Sequence, residues 1–204
     1  MLFRSGIEND TIAYIGIVPN HFIADKILDG SNHIALPGLI NAHTHMGMSL
    51  FRNYADDMPL MAWLSEKIWP TEANLTAEDV YYGTMLSQAE LIRCGCTTFR
   101  DMYYFMDDVA KATERSGLRA NLGLGLVGVS DPEGALFENV RMLHKKWHEA
   151  ADGRIRIEVA PHAPYTCSED YLKQATELAL ELNTTLHIHL SESRFRSEER
   201  RVGK

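Results

Sequence analysis

Five short apolar runs recur along the chain, Leu36–Ala42, Cys96–Asp101, Arg119–Gly128, Ile155–Pro161 and Leu186–Leu190, with helix-like stretches between them. Several runs are almost unbroken, as expected of parallel strands covered on both faces. The intervening stretches carry start and stop signals. Thr76-Ala77-Glu78-Asp79 offers an N-cap residue and early acids to a helix that stops near Gly95. A second helix is expected over Asp107–Ser116, a third over Glu133–Ala151, and a fourth from the Ser168 cap to about Leu182. This β-α-β-α order implies a parallel sheet built from right-handed crossovers.

A closed eightfold barrel needs about 250 residues, so five of its eight units need about 156. That matches the length after residue 36. An open doubly wound sheet also suits five strands, but the glycine-rich phosphate loop it requires is absent after the first strand, where His43-Thr44-His45 sits instead. The expected class is α/β: a TIM-type (β/α)8 barrel, incomplete at about five βα units, over residues 37–193. Residues 1–36 read as part of a small flanking β domain, with a β-prone Thr11–Ile17 and turn signals at Asn9-Asp10 and Asp29-Gly30. Residues 194–204 are dense in charge with no apolar face. They read as a solvated terminal helix or as a non-native tail.

Composition removes several classes of partner. A net charge of -8 argues against nucleic acid. No apolar run reaches the ~18 residues of a membrane span, and the N-terminus lacks a signal-peptide pattern. Three cysteines, Cys94, Cys96 and Cys167, cannot form a disulfide framework, so a cytoplasmic setting is expected. Cys94-Gly95-Cys96 also has the form of a metal or redox pair, although small buried thiols entering a strand are commoner.

The chemistry-bearing residues lie at the ends of the apolar runs. On a strand, side chains at i and i+2 share a face, so His43 and His45 can grip one ion. Leu186-His187-Ile188-His189-Leu190 supplies more imidazole about 145 residues later, and neutral imidazoles suit zinc or iron.

Four segments together resemble the amidohydrolase superfamily: Pro37-Gly38-Leu39-Ile40-Asn41-Ala42-His43-Thr44-His45, Gly95–Tyr103, Ala160-Pro161-His162-Ala163-Pro164-Tyr165 and His187–Glu192. Within it they resemble the 5-methylthioadenosine/S-adenosylhomocysteine deaminase branch, related to chlorohydrolases and guanine deaminases. The resemblance implies a metal-dependent hydrolase barrel with one divalent ion, Zn2+ or alternatively Fe2+, at the C-terminal strand ends. It implies an aminohydrolase acting on an adenine-type nucleoside such as 5-methylthioadenosine, a small-molecule substrate. By resemblance His43, His45 and His189 are metal ligands and Glu192 is the proton-shuttling carboxylate. His162 contacts substrate, Glu72 accepts ribose hydroxyls and Trp63 forms an aromatic wall of the pocket.

Each role has a plainer rival. Glu192 can be a solvated loop acid, His162 a structural histidine in a Pro-fixed turn, and Trp63 ordinary helix packing. Asp101 is a candidate for orienting a ligating imidazole. His187 is expected one layer deeper in the barrel interior. His21, His33, His144 and His148 read as surface, and Met46 and Met48 as pocket lining.

Family members using adenosylhomocysteine carry arginines where this chain aligns Leu124 and Leu136. That difference points towards methylthioadenosine, adenosine or another uncharged amine-bearing ring. The family's later histidine and metal-binding aspartate would align beyond residue 204, so this span alone is expected to be inactive or nearly so. A binuclear cyclic amidohydrolase is the rival within the superfamily, but it needs a bridging lysine that Ile155–His162 lacks. The non-enzyme rival is a truncated metal-binding or assembly module, whose open edges would recruit another chain, for instance in a homo-oligomer.

Overall fold

The computed structural model describes residues 4–192, so the charged stretch 194–204 lies outside the described residues. Contacts divide the chain into two units, Met1–Pro37 and Gly38–Lys204. In the first, β1 (Ser5–Glu8) pairs antiparallel with β2 (Thr11–Ile15) across a turn in which Asn9 takes a φ of 56°. Ile7, Ile12 and Ile15 remain exposed on this ribbon. Two strands alone enclose no core.

The second unit runs β3 (Leu39–Thr44), α1 (Leu60–Trp63), a π-helical turn (Leu64–Ile68), α2 (Trp69–Glu72), α3 (Ala77–Arg93), β4 (Cys96–Tyr103), α4 (Met106–Ser116), β5 (Arg119–Leu126), α5 (Leu136–Trp147), α6 (Ala150–Gly153), β6 (Ile155–Pro161) and α7 (Glu169–Glu181). Its sheet is parallel in the order β3-β4-β5-β6. Each strand is followed by helix before the next strand begins, so all strand C-termini lie at one end of the sheet.

Local chemistry sets the helix boundaries. Thr76 Oγ1 accepts from the Asp79 amide and the Asp79 carboxylate accepts from the Thr76 amide, a reciprocal cap that starts α3. Ser168 caps α7 through the Tyr171 amide. α4 stops at Gly117, whose φ of 81° suits glycine. Sheet and helices bury Phe99, Val109, Leu122 and Ile157 in one cluster, and Leu126, Val159, Tyr171 and Leu178 in another.

Several expectations need correction. The first strand begins at Leu39 rather than Leu36, and it is not buried: Leu39 and Ile40 are 60% and 70% exposed. It is the edge of the described sheet, so only β4 covers it. Leu186–Leu190 forms no regular strand. Leu186 makes a single parallel bridge to Val159, supported by backbone bonds from His187 to Val159 (2.9 Å) and from His189 to His162 (2.9 Å). Among the described residues the stretch has a backbone neighbour on one side only, and Ser191 turns it away with a φ of 56°.

The third expected helix, Glu133–Ala151, shrinks to Leu136–Trp147. The Asp131 carboxylate takes the Ala135 and Leu136 amides at its start, and left-handed Glu149, Ala151 and Asp152 break it at its end. His144 and His148 are half-buried rather than on the surface. Their rings stack at 4.1 Å, and His148 Nδ1 accepts the Ile157 amide at the start of β6. Cys94 is exposed and Cys96 partly so, rather than buried, and Cys167 is buried.

Asp107 ties α4 to α5. Burial pushes its pKa up, but bonds from Lys111, Lys146 and the Trp147 indole outweigh this and hold it well below the usual carboxylate range. Its ionised form is therefore favoured more in the folded than in the unfolded chain. The resulting stability is fully present above pH ~4 and is lost as pH falls below that. Asp107→Asn should flatten the acid limb of a urea-unfolding series between pH 5 and 2. An unchanged acid limb would show that this carboxylate gains nothing on folding.

Candidate metal centre

The end of β3 carries the first two imidazoles. His43 lies on the strand within a register shift between Asn41 and Thr44, and His45 sits just beyond it, opening the turn Met46–Phe51. Such a bulge re-aims side chains beside a site. The ring centroids of His43 and His45 are 5.4 Å apart, and His189 lies 4.9 Å from His43 and 5.1 Å from His45. Donor atoms of all three fall within 4.8 Å of one another, the one such group of histidine, cysteine or acidic side chains among the described residues.

Hydrogen bonding prepares these rings for a cation. His45 Nδ1 lies 2.6 Å from the Met102 carbonyl. A carbonyl only accepts, so Nδ1 carries the proton and Nε2 keeps its lone pair. Burial lowers the pKa of both His45 and His189, which keeps them neutral near pH 7. Three imidazoles, one with its tautomer set by a backbone acceptor, fit a zinc-type ion in donor chemistry and in number.

Asp101 does not orient an imidazole. Its Oδ1 accepts from the Met46 amide (3.0 Å) and Thr44 Oγ1 (3.1 Å), so it braces the turn that follows the two histidines. Complete burial pushes this carboxyl up to about 7. His187 lies outside the cluster and is half-buried beside Glu158, at 3.7 Å. Burial and the nearby Arg100 push it down to about 4. Glu158 in turn receives Nε and Nη2 of Arg100 at 2.7 and 2.5 Å, Asn121 Nδ2 at 3.0 Å, and the Thr185 hydroxyl. His21 and His33 are exposed. Met46 is buried in the core and Met48 lines the pocket.

A cleft opens over the imidazoles, lined by His45, Trp63, Glu72, His162, His189 and Glu192. Six of the seven residues singled out in the sequence therefore share one cavity, and the seventh, His43, touches it through the ring cluster. His162 is oriented by Thr166. That hydroxyl donates to the Ala163 carbonyl, so it accepts from His162 Nδ1 at 2.9 Å and leaves Nε2 free as an acceptor. Glu192 accepts a 2.5 Å bond from the Tyr165 hydroxyl. The Trp63 indole donates to the Ala55 carbonyl at 3.2 Å.

Trp63 and Glu72 are brought to the cleft by the π-helical turn, where the Trp69 amide reaches back to Leu64. Pro70 has no amide hydrogen and crowds the carbonyl one α-turn before it, and the wider turn relieves that clash. Sequence reasoning missed Trp69, Tyr103, Tyr104 and Tyr165, all close to the cleft or its carboxylates. The signal available was position: Tyr103-Tyr104 sits at a strand end, two residues past Asp101.

A parallel sheet alternating with helices, with its imidazoles gathered at the strand C-termini, is the architecture of a βα-barrel enzyme. Residues 34–201 match the model of the Amidohydrolase family. A relative from Thermoanaerobacter pseudethanolicus, described as a 5-methylthioadenosine/S-adenosylhomocysteine deaminase, is 56% identical over 195 residues, 95% of this chain and 45% of its own length. The crystal structure of an adenosine deaminase from Xanthomonas campestris with bound zinc superposes with a TM-score of 0.73 at 38% identity, covering 80% of this chain and 38% of that one. A guanine deaminase from C. acetobutylicum with bound guanine shares the fold, with a TM-score of 0.77 at 19% identity over 93% of this chain and 49% of that one.

The chain belongs to the amidohydrolase family. It spans under half the length of the curated relatives it matches. Among the described residues no helix is long and apolar enough to cross a membrane.

Proposed function

We propose that the cleft is the active site of a metal-dependent aminohydrolase that deaminates an adenine-type nucleoside such as 5-methylthioadenosine. The observation that carries the reading is the convergence of His43, His45 and His189 beneath a cleft that also holds Glu72, His162 and Glu192. One divalent ion, zinc by donor chemistry, would be held by the three imidazoles. When bound, it supplies Lewis acidity that brings the pKa of water to about 7.

The remaining steps belong to the chain's own groups. Glu192 takes one proton from the attacking water and gives it to the ring nitrogen, then moves the remaining hydroxyl proton to the departing amine, which leaves as ammonia while the carbonyl forms. Tyr165 holds that carboxylate in place. His162 Nε2 accepts from or aligns the purine, Trp63 stacks against it and Glu72 accepts the sugar hydroxyls. Leu124 and Leu136 pack against the apolar core and offer no cation for an amino-acid carboxylate, which favours methylthioadenosine or adenosine over S-adenosylhomocysteine.

Turnover by this span alone is proposed to be slow or absent, so binding is the primary test. Titration should show one zinc per chain, and zinc-loaded protein should then take up methylthioadenosine with quenching of Trp63 and Trp69 fluorescence. Two ions per chain would favour a binuclear centre. Absence of zinc uptake, or nucleoside uptake indifferent to zinc, would overturn the reading. Ammonia release by the purified chain would support the aminohydrolase assignment and refute the proposed inactivity.

A further inference from the structure

Tyr103 lies between the imidazole cluster and Glu72. Its side chain is 5% exposed and belongs to the core cluster with Met46 and Val80. Gly47 clamps the ring: a Cβ there would lie 2.8 Å from Tyr103 Cε1. The ring therefore cannot swing. Its hydroxyl donates to Glu72 Oε1 at 2.7 Å, and its centroid is 6.2 Å from that of His45.

Donation runs one way only. Burial and the neighbouring carboxylate drive ionisation of the phenol far above neutral pH, so it keeps its proton. Burial also raises the pKa of Glu72, and the Tyr103 bond opposes this and favours the acceptor form. A carboxylate held by a single immobile donor has its second oxygen free and aimed.

We propose that Tyr103 is a positioning residue that sets specificity: it fixes one oxygen of Glu72 and so presents the other to two neighbouring hydroxyls, selecting ligands with a cis-diol at one end and the reacting amine at the imidazole end. The inference rests on the nucleoside reading above and deepens it.

Adenosine and 2′,3′-dideoxyadenosine differ only in the diol, and zinc-loaded chain titrated with each, read by tryptophan quenching, separates the cases. Wild type should bind adenosine at least about tenfold more tightly than the dideoxy analogue, the scale of a hydrogen bond to a charged group. Tyr103→Phe keeps the ring beneath Gly47; it should weaken adenosine about tenfold and leave the dideoxy analogue and the zinc content unchanged. Equal weakening of both ligands would mark a merely structural role and overturn the inference, as would unchanged adenosine affinity. If Tyr103→Phe does not fold, Glu72→Gln provides the same comparison and should erase the preference; a preserved preference overturns the inference. Wild type binding both ligands equally sinks this inference alone, whereas wild type binding neither sinks the nucleoside reading with it.

Discussion

Replacing His189 with alanine is expected to weaken zinc binding by more than about a hundredfold, beyond the 10- to 100-fold that loss of an outer partner costs. Among the described residues three imidazoles converge in the cluster, so removing one leaves two of them for the ion. His43→Ala and His45→Ala should behave alike. His187→Ala supplies the control, because His187 lies two residues away on the same segment but faces Glu158. A competition titration against a chromophoric chelator resolves the four variants. Wild-type zinc affinity in His189→Ala would remove the metal centre from consideration, and equal loss in His187→Ala would point to collapse of the segment.

The second large effect is expected beneath the site. Glu158 is 1% exposed, and its charge is sustained by a bidentate Arg100 together with Asn121 and Thr185. Arg100→Met leaves that carboxylate buried without its counter-ion, a change that costs about 3–5 kcal/mol in comparable pairs. Arg100 is one-third exposed, which places the expectation at the low end, about 3 kcal/mol. Adding Glu158→Gln removes the charge and keeps an acceptor for Asn121 and Thr185, so the double variant should regain most of the loss. Urea unfolding measures both. A loss below ~1 kcal/mol in Arg100→Met would show that Glu158 is not charged in the folded protein.

Much of this architecture was legible because the signals were local. Apolar runs at Cys96–Asp101, Arg119–Gly128 and Ile155–Pro161 mark strands regardless of neighbours, and Thr76 and Ser168 mark helix starts through bonds within one turn. The histidine cluster was legible because a spacing of two on a strand survives as proximity. What was hidden depends on partners distant in sequence. Leu186–Leu190 has strand composition, but strand geometry needs neighbours, and it has one. The exposure of Leu39 and Ile40 follows from edge position, which composition does not encode. Asp101 closes a strand, a place that suits the bracing of an imidazole, whereas the amide of Met46 claims its carboxylate. Tyr103 looked like any strand-end aromatic until Glu72, 31 residues earlier, closed on its hydroxyl.

The widened turn at Leu64–Ile68 has an evolutionary consequence. In an uninterrupted α-helix the nine steps from Trp63 to Glu72 sweep about 900°, which sets the two residues on opposite sides. One surplus residue absorbed in the wide turn brings the sweep to the equivalent of about 800°, which sets the two residues about 80° apart on one side of the helix. Shortening this segment by a single codon would remove that surplus residue and leave eight regular steps, again about 800°, so Glu72 would keep facing the cavity. Losing one residue here is therefore silent in direction, whereas gaining one would turn Glu72 to the far side of the helix while the histidine cluster stayed where it is.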